Sequence, residues 1–208
     1  MVKGRRAIGL MGGTFNPIHY GHLVAAEAAR DAFHLDQVIF IPAGQPPHKS
    51  GLAVADPEHR YLMTFLAIVS NQHFEISRVE IDRQGPSYTS DTLAHFRALD
   101  PEVLWYFITG ADAILDIVSW HYPDAIFQNA ELIAASRPGY SLKKIEALKQ
   151  QLGAERVARI HPLEVPALAI SSSQIRERLQ QGLSIKYLVP EAVEHYIAKN
   201  QVYAEFGA

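Results

Sequence analysis

The sequence predicts an α/β protein built on a doubly wound, Rossmann-like parallel sheet with a small helical C-terminal part, and three observations carry that reading. Apolar strand-like runs alternate with amphipathic helical runs along most of the chain. The strand runs are continuously apolar rather than strictly alternating, as suits parallel strands buried on both faces. The first of them ends in a glycine pair followed by a helix start, a junction at the carboxyl edge where such sheets bind ligands. With 208 residues, 48% hydrophobic and 20% charged, the chain can bury one sizeable core. A single domain is expected, with its core over residues 1–170 and the helical part over 171–208.

Ala7, Ile8, Leu10 and Met11 form the first strand, ended by Gly12 and Gly13, and the run from about Gly21 to Phe33 forms the helix behind it. Val38 to Ile41 is the second strand. Asp56-Pro57-Glu58 reads as a helix start, with a capping acid, a proline at the first position and an acid in the first turn. That helix runs to about Ser70 with Leu62, Phe65, Leu66 and Val69 on its apolar face. Strands near Phe74 to Ile76 and at Val103 to Thr109 flank a helix from about Ser90 to Leu99. A strand at Glu131 to Ala135, a helix from Leu142 to Leu152 closed by Gly153, and a strand at Val157 to Ile160 complete the alternation.

The first strand-turn-helix is the chemically informative stretch. Two glycines allow a ligand close to the main chain, and the free N–H groups and positive dipole end of the helix behind them favour an anion. His19 and His22, three residues apart, point the same way on a first helical turn and would reach a bound phosphate. The plain alternative is a tight βα connection. Neither GxGxxG after the strand nor GxxxxGK[ST] anywhere occurs, so the phosphate grip differs from both of those motifs. No third ligand with suitable spacing accompanies the histidine pair, and HExxH is absent, which argues against zinc and leaves the metal-ligand set as none. The remaining histidines at 34, 59, 73, 95, 161 and 195 lack a motif and read as packing or surface residues.

Other candidates sit where strands end. Pro42 to Gly51 is a proline- and glycine-rich loop presenting His48 and Lys49, either solvated or poised for phosphate. Ser87 to Leu93 is dense in hydroxyls and reads locally as a capping cluster. Gly110 and Asp112 follow the most apolar strand; Asp112 either caps a short helix, binds a ribose hydroxyl, or orients magnesium through water. Trp120 lies in a turn rather than on a periodic face, and either packs at the core boundary or offers a flat face for stacking on a ligand ring. Arg137 leaves a strand end towards a phosphate or adenine. Ser171 to Ser173 can cap a helix that carries Arg176 one turn along.

The segment GGTFNPIHYGH, residues 12–22, resembles the opening motif of the HxGH nucleotidyltransferases, and most closely that of the bacterial nicotinate mononucleotide adenylyltransferases. ISSSQIR, residues 170–176, resembles the family's second signature, ISSTxIR, with Ser173 in place of threonine. Asn16 stands where many members carry aspartate. The resemblance implies a nucleotidyltransferase form of the Rossmann-like fold and adenylyl transfer from ATP to nicotinate mononucleotide, with Mg²⁺ carried by substrate phosphates. It assigns catalysis to His19, His22, Lys49 and Arg176, with Lys49 on a mobile lid. It assigns ATP to Gly12, Gly13, Thr14, Phe15, Gly110, Asp112, Arg137, Ser172 and Ser173, with Asp112 in the ribose role. To the mononucleotide it assigns Asn16, Thr89, Ser90, Trp120 and the main chain of His121.

Composition narrows the class further. A formal charge of -3 argues against a nonspecific nucleic-acid surface. The basic residues of Met1–Arg6 precede no long apolar run, so neither a signal peptide nor a membrane span is expected, and the reading is cytoplasmic. Zero cysteines exclude disulfides, thiolate zinc and cysteine nucleophiles. A homo-oligomer is compatible with the sequence. The alternatives are a nicotinamide mononucleotide or phosphopantetheine adenylyltransferase on the same core, a cytidylyltransferase, or a nucleotide-binding sensor without chemistry; the hydroxyl cluster with Trp120 and the intact histidines favour the first reading.

Overall fold

The computed structural model describes residues 5–47, 54–136, 143–166 and 168–204. Six strands form a parallel sheet: β1 (Ala7–Gly13), β2 (Gln37–Pro42), β3 (Phe74–Ile76), β4 (Leu104–Gly110), β5 (Glu131–Ser136) and β6 (Ile160–Glu164). Their spatial order is β3-β2-β1-β4-β5-β6. The direction of winding reverses at β1 and β4, and ligands of doubly wound sheets bind at the carboxyl ends of such a pair. The expected fold class therefore holds.

The chain divides into two compact units. The first comprises Met1–Gly12, Ala25–Ile39 and Tyr88–Ala167. Here β1 pairs with β4 through Ala7 to Leu104 and Leu10 to Phe107, β4 with β5 through Tyr106 to Glu131, and β5 with β6 through Leu132 to Ile160. Leu10, Ile108, Leu132 and Ile133 are fully buried, as continuously apolar parallel strands require. β6 is one of the two edge strands and carries Pro162, tolerable where one side of the ladder is unpaired. Helix α1 (Tyr20–Ala32) contributes its alanines at 25, 26 and 29 to this core. Helix α3 (Thr89–Leu99) contributes Leu93 and Phe96, the latter against Trp105 at a centroid separation of 5.3 Å.

The second unit comprises Gly13–Val24, Phe40–Ser87 and Leu168–Ala208. Phe40 is fully buried between Phe15 and Phe74, at 5.9 and 5.1 Å, a burial worth about 1.5–3 kcal/mol. Helix α2 (Pro57–Ile68) starts as expected, with Asp56 accepting from the Glu58 N–H and Pro57 in the first turn. Its buried face, however, is Arg60, Met63, Thr64, Ala67 and Ile68. Leu62, Phe65 and Val69 are 40%, 43% and 62% exposed, which corrects the apolar face expected from the sequence. The physical reason is Arg60, whose guanidinium donates to the carbonyls of Ala55, Thr14 and Gly44. Those hydrogen bonds act together with the apolar Met63, Ala67 and Ile68 in turning that face inward.

The segment after β5 also departs from expectation. In place of one helix over 142–152 there are two short ones, α6 (Lys143–Ala147) and α7 (Lys149–Leu152), after the short α4 (Ala111–Leu115) and α5 (Pro123–Asn129) earlier in the chain. Gly153 does end α7, at φ 81° and ψ 159°, a conformation that glycine alone adopts readily. It then opens a further short helix, α8 (Ala154–Val157), so the last strand begins at Ile160 instead of Val157. Val157 and Ile160 are both buried, and their spacing of three fits a helical turn leading into the strand. The C-terminal region is helical as expected, with α9 (Ser172–Gln180) and α10 (Glu191–Asn200). Among the described residues no helix is long and apolar enough to cross a membrane.

Candidate functional site

In the second unit the two signature segments lie side by side. The Ser172 hydroxyl donates to the Pro17 carbonyl at 2.8 Å, and Arg176 Nη1 donates to the Asn16 carbonyl at 2.7 Å. Both segments present helix starts, α1 after His19 and α9 after Ser171, whose Oγ accepts from the Gln174 N–H. Hydroxyls, imidazoles, guanidinium and helix N-termini make an anion-binding donor set. Ser173 is exposed and its Oγ accepts from Arg176 Nη2 at 3.3 Å.

His19 and His22 stack at a centroid separation of 3.7 Å. His22 Nδ1 accepts the main-chain N–H of His19 at 3.2 Å, which leaves the ring proton of the neutral form on Nε2. The edge of His22 that can meet a ligand is therefore a donor. His19 is 7% exposed and its Nδ1 is buried without a hydrogen-bond partner, so Nε2 is the atom through which it can act. Burial pushes its pKa down from 6.5 to about 4; at neutral pH the ring is uncharged. Gly21 makes room for this arrangement, since a Cβ there would lie 3.0 Å from both Cε1 and Nδ1 of His19. The glycine of the H-x-G-H spacing is thus a packing requirement of the first ring.

The depressed pKa has a measurable consequence. Between pH 6.5 and about 4 the unfolded chain holds a proton on His19 that the folded chain refuses, so stability falls as pH drops through that window and levels off below it. Denaturant unfolding at pH 7 and pH 5 should show the wild type losing roughly 1–2 kcal/mol more than His19→Asn. Equal losses in both proteins would contradict a buried neutral ring.

The glycine turn is shaped by its neighbours. Phe15 has φ 48°, unusual for a bulky residue, and is 2% exposed; the left-handed conformation costs about 1–2 kcal/mol. Its ring lies edge-on to His22 at 5.1 Å and 2.8 Å from where a Gly13 Cβ would be. The Gly13 carbonyl accepts from the Ala43 N–H, and the Thr14 carbonyl from Arg60. Asn16, expected at the mononucleotide, is 2% exposed with its Oδ1 accepting from the Ala55 N–H and the Tyr203 hydroxyl. That side-chain oxygen is engaged by the protein itself.

In the first unit the aromatic segment after β4 gathers around α3. Trp120, half-buried, meets the edge of Phe107 at 6.2 Å, and Phe107 also lies 3.2 Å from where a Gly12 Cβ would be. His121 stacks on Tyr88 at 3.9 Å and meets Tyr122 edge-on at 4.1 Å, with its Nδ1 3.4 Å from the Ser90 hydroxyl. Ser90 is buried, so its hydroxyl faces His121 and Asp91 rather than solvent. Helix α3 begins at Thr89, and no side chain caps it, which leaves first-turn N–H groups for an acceptor. Local sequence alone suggests a capping cluster there; the structure has none. Gly110 precedes α4 and Asp112 is exposed in its first turn, again with no side-chain cap.

Lys49, with His48, and Arg137 lie outside the described residues. Among the described residues no three histidine, cysteine or carboxylate side chains are grouped to hold a metal ion. Sequence reasoning missed Arg60 and Tyr203. The signal for Arg60 was its place at i, i+3, i+4 and i+7 with Met63, Thr64 and Ala67, a stripe too polar to draw notice beside Leu62 and Phe65.

The chain matches the cytidylyltransferase-like family model over residues 10–178. It is 57% identical over 197 residues to a probable nicotinate-nucleotide adenylyltransferase of Moorella thermoacetica, covering 94% of this chain and 91% of the relative. A protein of the same name from Saccharopolyspora erythraea is 51% identical over 204 residues, 97% of this chain and 92% of the relative. Among solved structures, Plasmodium falciparum nicotinic acid mononucleotide adenylyltransferase complexed with NaAD gives a TM-score of 0.77 over 96% of this chain and 98% of that one. At 21% identity, that likeness bears on the fold alone.

Proposed function

We propose, for a chain that belongs to the cytidylyltransferase-like family and within it to the nicotinate-nucleotide adenylyltransferases, adenylyl transfer from ATP to nicotinate mononucleotide in NAD biosynthesis. The products are nicotinate adenine dinucleotide and pyrophosphate. A phosphate oxygen of the mononucleotide forms a bond to the α-phosphorus of ATP as the bond from that phosphorus to the bridging oxygen breaks. The nucleophile is already anionic, so no base and no covalent intermediate on the protein is needed. Charge develops on the pyrophosphate, and donors preorganised towards it lower the barrier. One phosphoanhydride replaces another, so the reaction runs in both directions.

The observation that carries this reading is the junction of the two signature segments through the Ser172–Pro17 and Arg176–Asn16 hydrogen bonds, which gathers an anion-binding donor set in one unit. In this reading His22 and His19 donate to phosphates at the reacting centre, Arg176 with Ser172 and Ser173 holds the β/γ end, and Lys49 adds a positive charge. Gly12, Gly13, Thr14 and Phe15 shape the turn over which ATP lies; Gly110, Asp112 and Arg137 serve its nucleoside. Trp120 stacks on the pyridine ring, and Thr89, Ser90 and the His121 main chain serve its carboxylate. Asn16 acts on the mononucleotide site by holding the turn. Mg²⁺ accompanies ATP on its phosphate oxygens as part of the substrate, which suits a donor set built for anions.

Pyrophosphate release on mixing with ATP, Mg²⁺ and nicotinate mononucleotide tests the reading. Stoichiometric release with dinucleotide formation is expected; ATP binding without release for any acceptor would favour a sensor.

A further inference from the structure

We propose that Tyr203, in a C-terminal tail carrying no motif, is a positioning residue that sets Arg176 through Asn16. This rests on the adenylyl-transfer reading for what Arg176 holds. One atom, Asn16 Oδ1, takes hydrogen bonds from the Tyr203 hydroxyl at 3.0 Å and the Ala55 N–H at 3.1 Å, donors 187 and 39 residues away in sequence. The main-chain carbonyl of the same residue takes Arg176 Nη1 at 2.7 Å. Tyr203 and Asn16 are 5% and 2% exposed, so these bonds form away from water, where each is demanding in geometry. Beneath them Arg60 ties the carbonyls of Thr14, Ala55 and Gly44.

Burial raises the Tyr203 phenol well above its ordinary pKa, although Arg176 and Arg60 pull the other way. The phenol therefore stays protonated at working pH and remains a donor. Without that donor, Asn16 Oδ1 retains the Ala55 bond but loses its anchor to the tail, and the Asn16 carbonyl no longer holds a fixed place for Nη1. Arg176 retains its charge and its contact with Ser173 but loses the orientation of its fork. A small misplacement of a phosphate-holding group is enough to be read kinetically.

The test uses Tyr203→Phe, Arg176→Ala, Asn16→Ala and the double variants pairing Tyr203→Phe with each of the other two. Thermal unfolding, calorimetric MgATP binding and kcat/KM for ATP are measured on all of them. Tyr203→Phe alone should weaken MgATP binding and lower kcat/KM by on the order of tenfold. Added to Arg176→Ala or to Asn16→Ala it should cost less than twofold further, while lowering the Tm by a similar amount in every background. An equal loss of MgATP affinity in all backgrounds, or a lower Tm with unchanged affinity, would overturn the proposal and leave Tyr203 a packing residue. The MgATP measurement needs no acceptor, so failure of the wild type to turn over nicotinate mononucleotide would count against the functional reading and not against this one.

Discussion

Replacing His22 by alanine should lower kcat by about 10²–10³, with a far smaller change in the KM for ATP. The expectation follows from the tautomer. With Nδ1 engaged by the His19 N–H, the remaining ring N–H at Nε2 is a fixed donor. Its orientation is held by the stacked ring of His19 and the edge of Phe15. A donor prepared in advance strengthens as charge grows on the transferring phosphates and needs no reorganisation at that moment, and losing one such donor costs about 2.7–4 kcal/mol of transition-state stabilisation. In the proposed function Arg176, the serines and the helix starts would still bind the ground-state triphosphate. Steady-state kinetics with ATP varied separates the two parameters, and a variant that kept its kcat while its KM rose would make His22 a ground-state binding residue only.

Gly44→Ala should cost about 3 kcal/mol or more of stability, a large loss for the addition of one methyl group. A Cβ at Gly44 would lie 2.1 Å from the Glu80 carbonyl oxygen and 3.1 Å from the Ile81 Cα. Both obstacles are backbone, and no side-chain rotation relieves them. The Gly44 N–H also donates to the Ser87 hydroxyl, and its carbonyl accepts from Arg60, so displacement of this residue loosens the support of Thr14 as well. For a chain of this length the loss corresponds to a Tm roughly 6–12 °C lower. Gly110→Ala is the control, because its Cβ would meet nothing within 4 Å. Matching melting temperatures for the two variants would show that the approach at Gly44 is not as close as described.

The sheet was legible because its signals are local and repeated. Continuous apolar runs gave β1, β2, β4 and β5 to within a residue or two, and Asp56-Pro57 located the start of α2. The alternation itself implied a doubly wound parallel sheet, whereas the order β3-β2-β1-β4-β5-β6 is read from the structure. What escaped was decided by polar groups whose partners lie far along the chain. The buried face of α2 carries Arg60, bonded to three main-chain carbonyls, beside Met63, Ala67 and Ile68, and leaves Leu62 and Phe65 exposed. The place of Asn16 in the motif points to the mononucleotide, but the support of its side-chain oxygen by Ala55 and Tyr203 has no local signal. Nothing within a window around residue 203 could announce that bond. The segment over 142–160 misled for a different reason: Val157 and Ile160 are both apolar and buried, and a short apolar run does not by itself separate a helical turn from a strand.

The choice of acceptor cannot come from the segments proposed to hold phosphate, which would serve acid and amide mononucleotides alike. Discrimination must come from the groups around the pyridine ring. Helix α3 starts at Thr89 with no side-chain cap, so main-chain N–H groups of Thr89 and Ser90, with that of His121, can present donors to a carboxylate. A carboxylate accepts from all of them, whereas a carboxamide must turn its NH₂ towards at least one donor and leave a buried polar group unpaired. That costs about 1–3 kcal/mol, roughly a tenfold to hundredfold loss in kcat/KM. The stacking proposed for Trp120 would serve both rings equally. Steady-state kinetics with nicotinate and nicotinamide mononucleotides, under identical ATP and Mg²⁺, should therefore show kcat/KM higher for the acid by about ten- to a hundredfold; equal efficiencies, or a preference for the amide, would contradict the assignment.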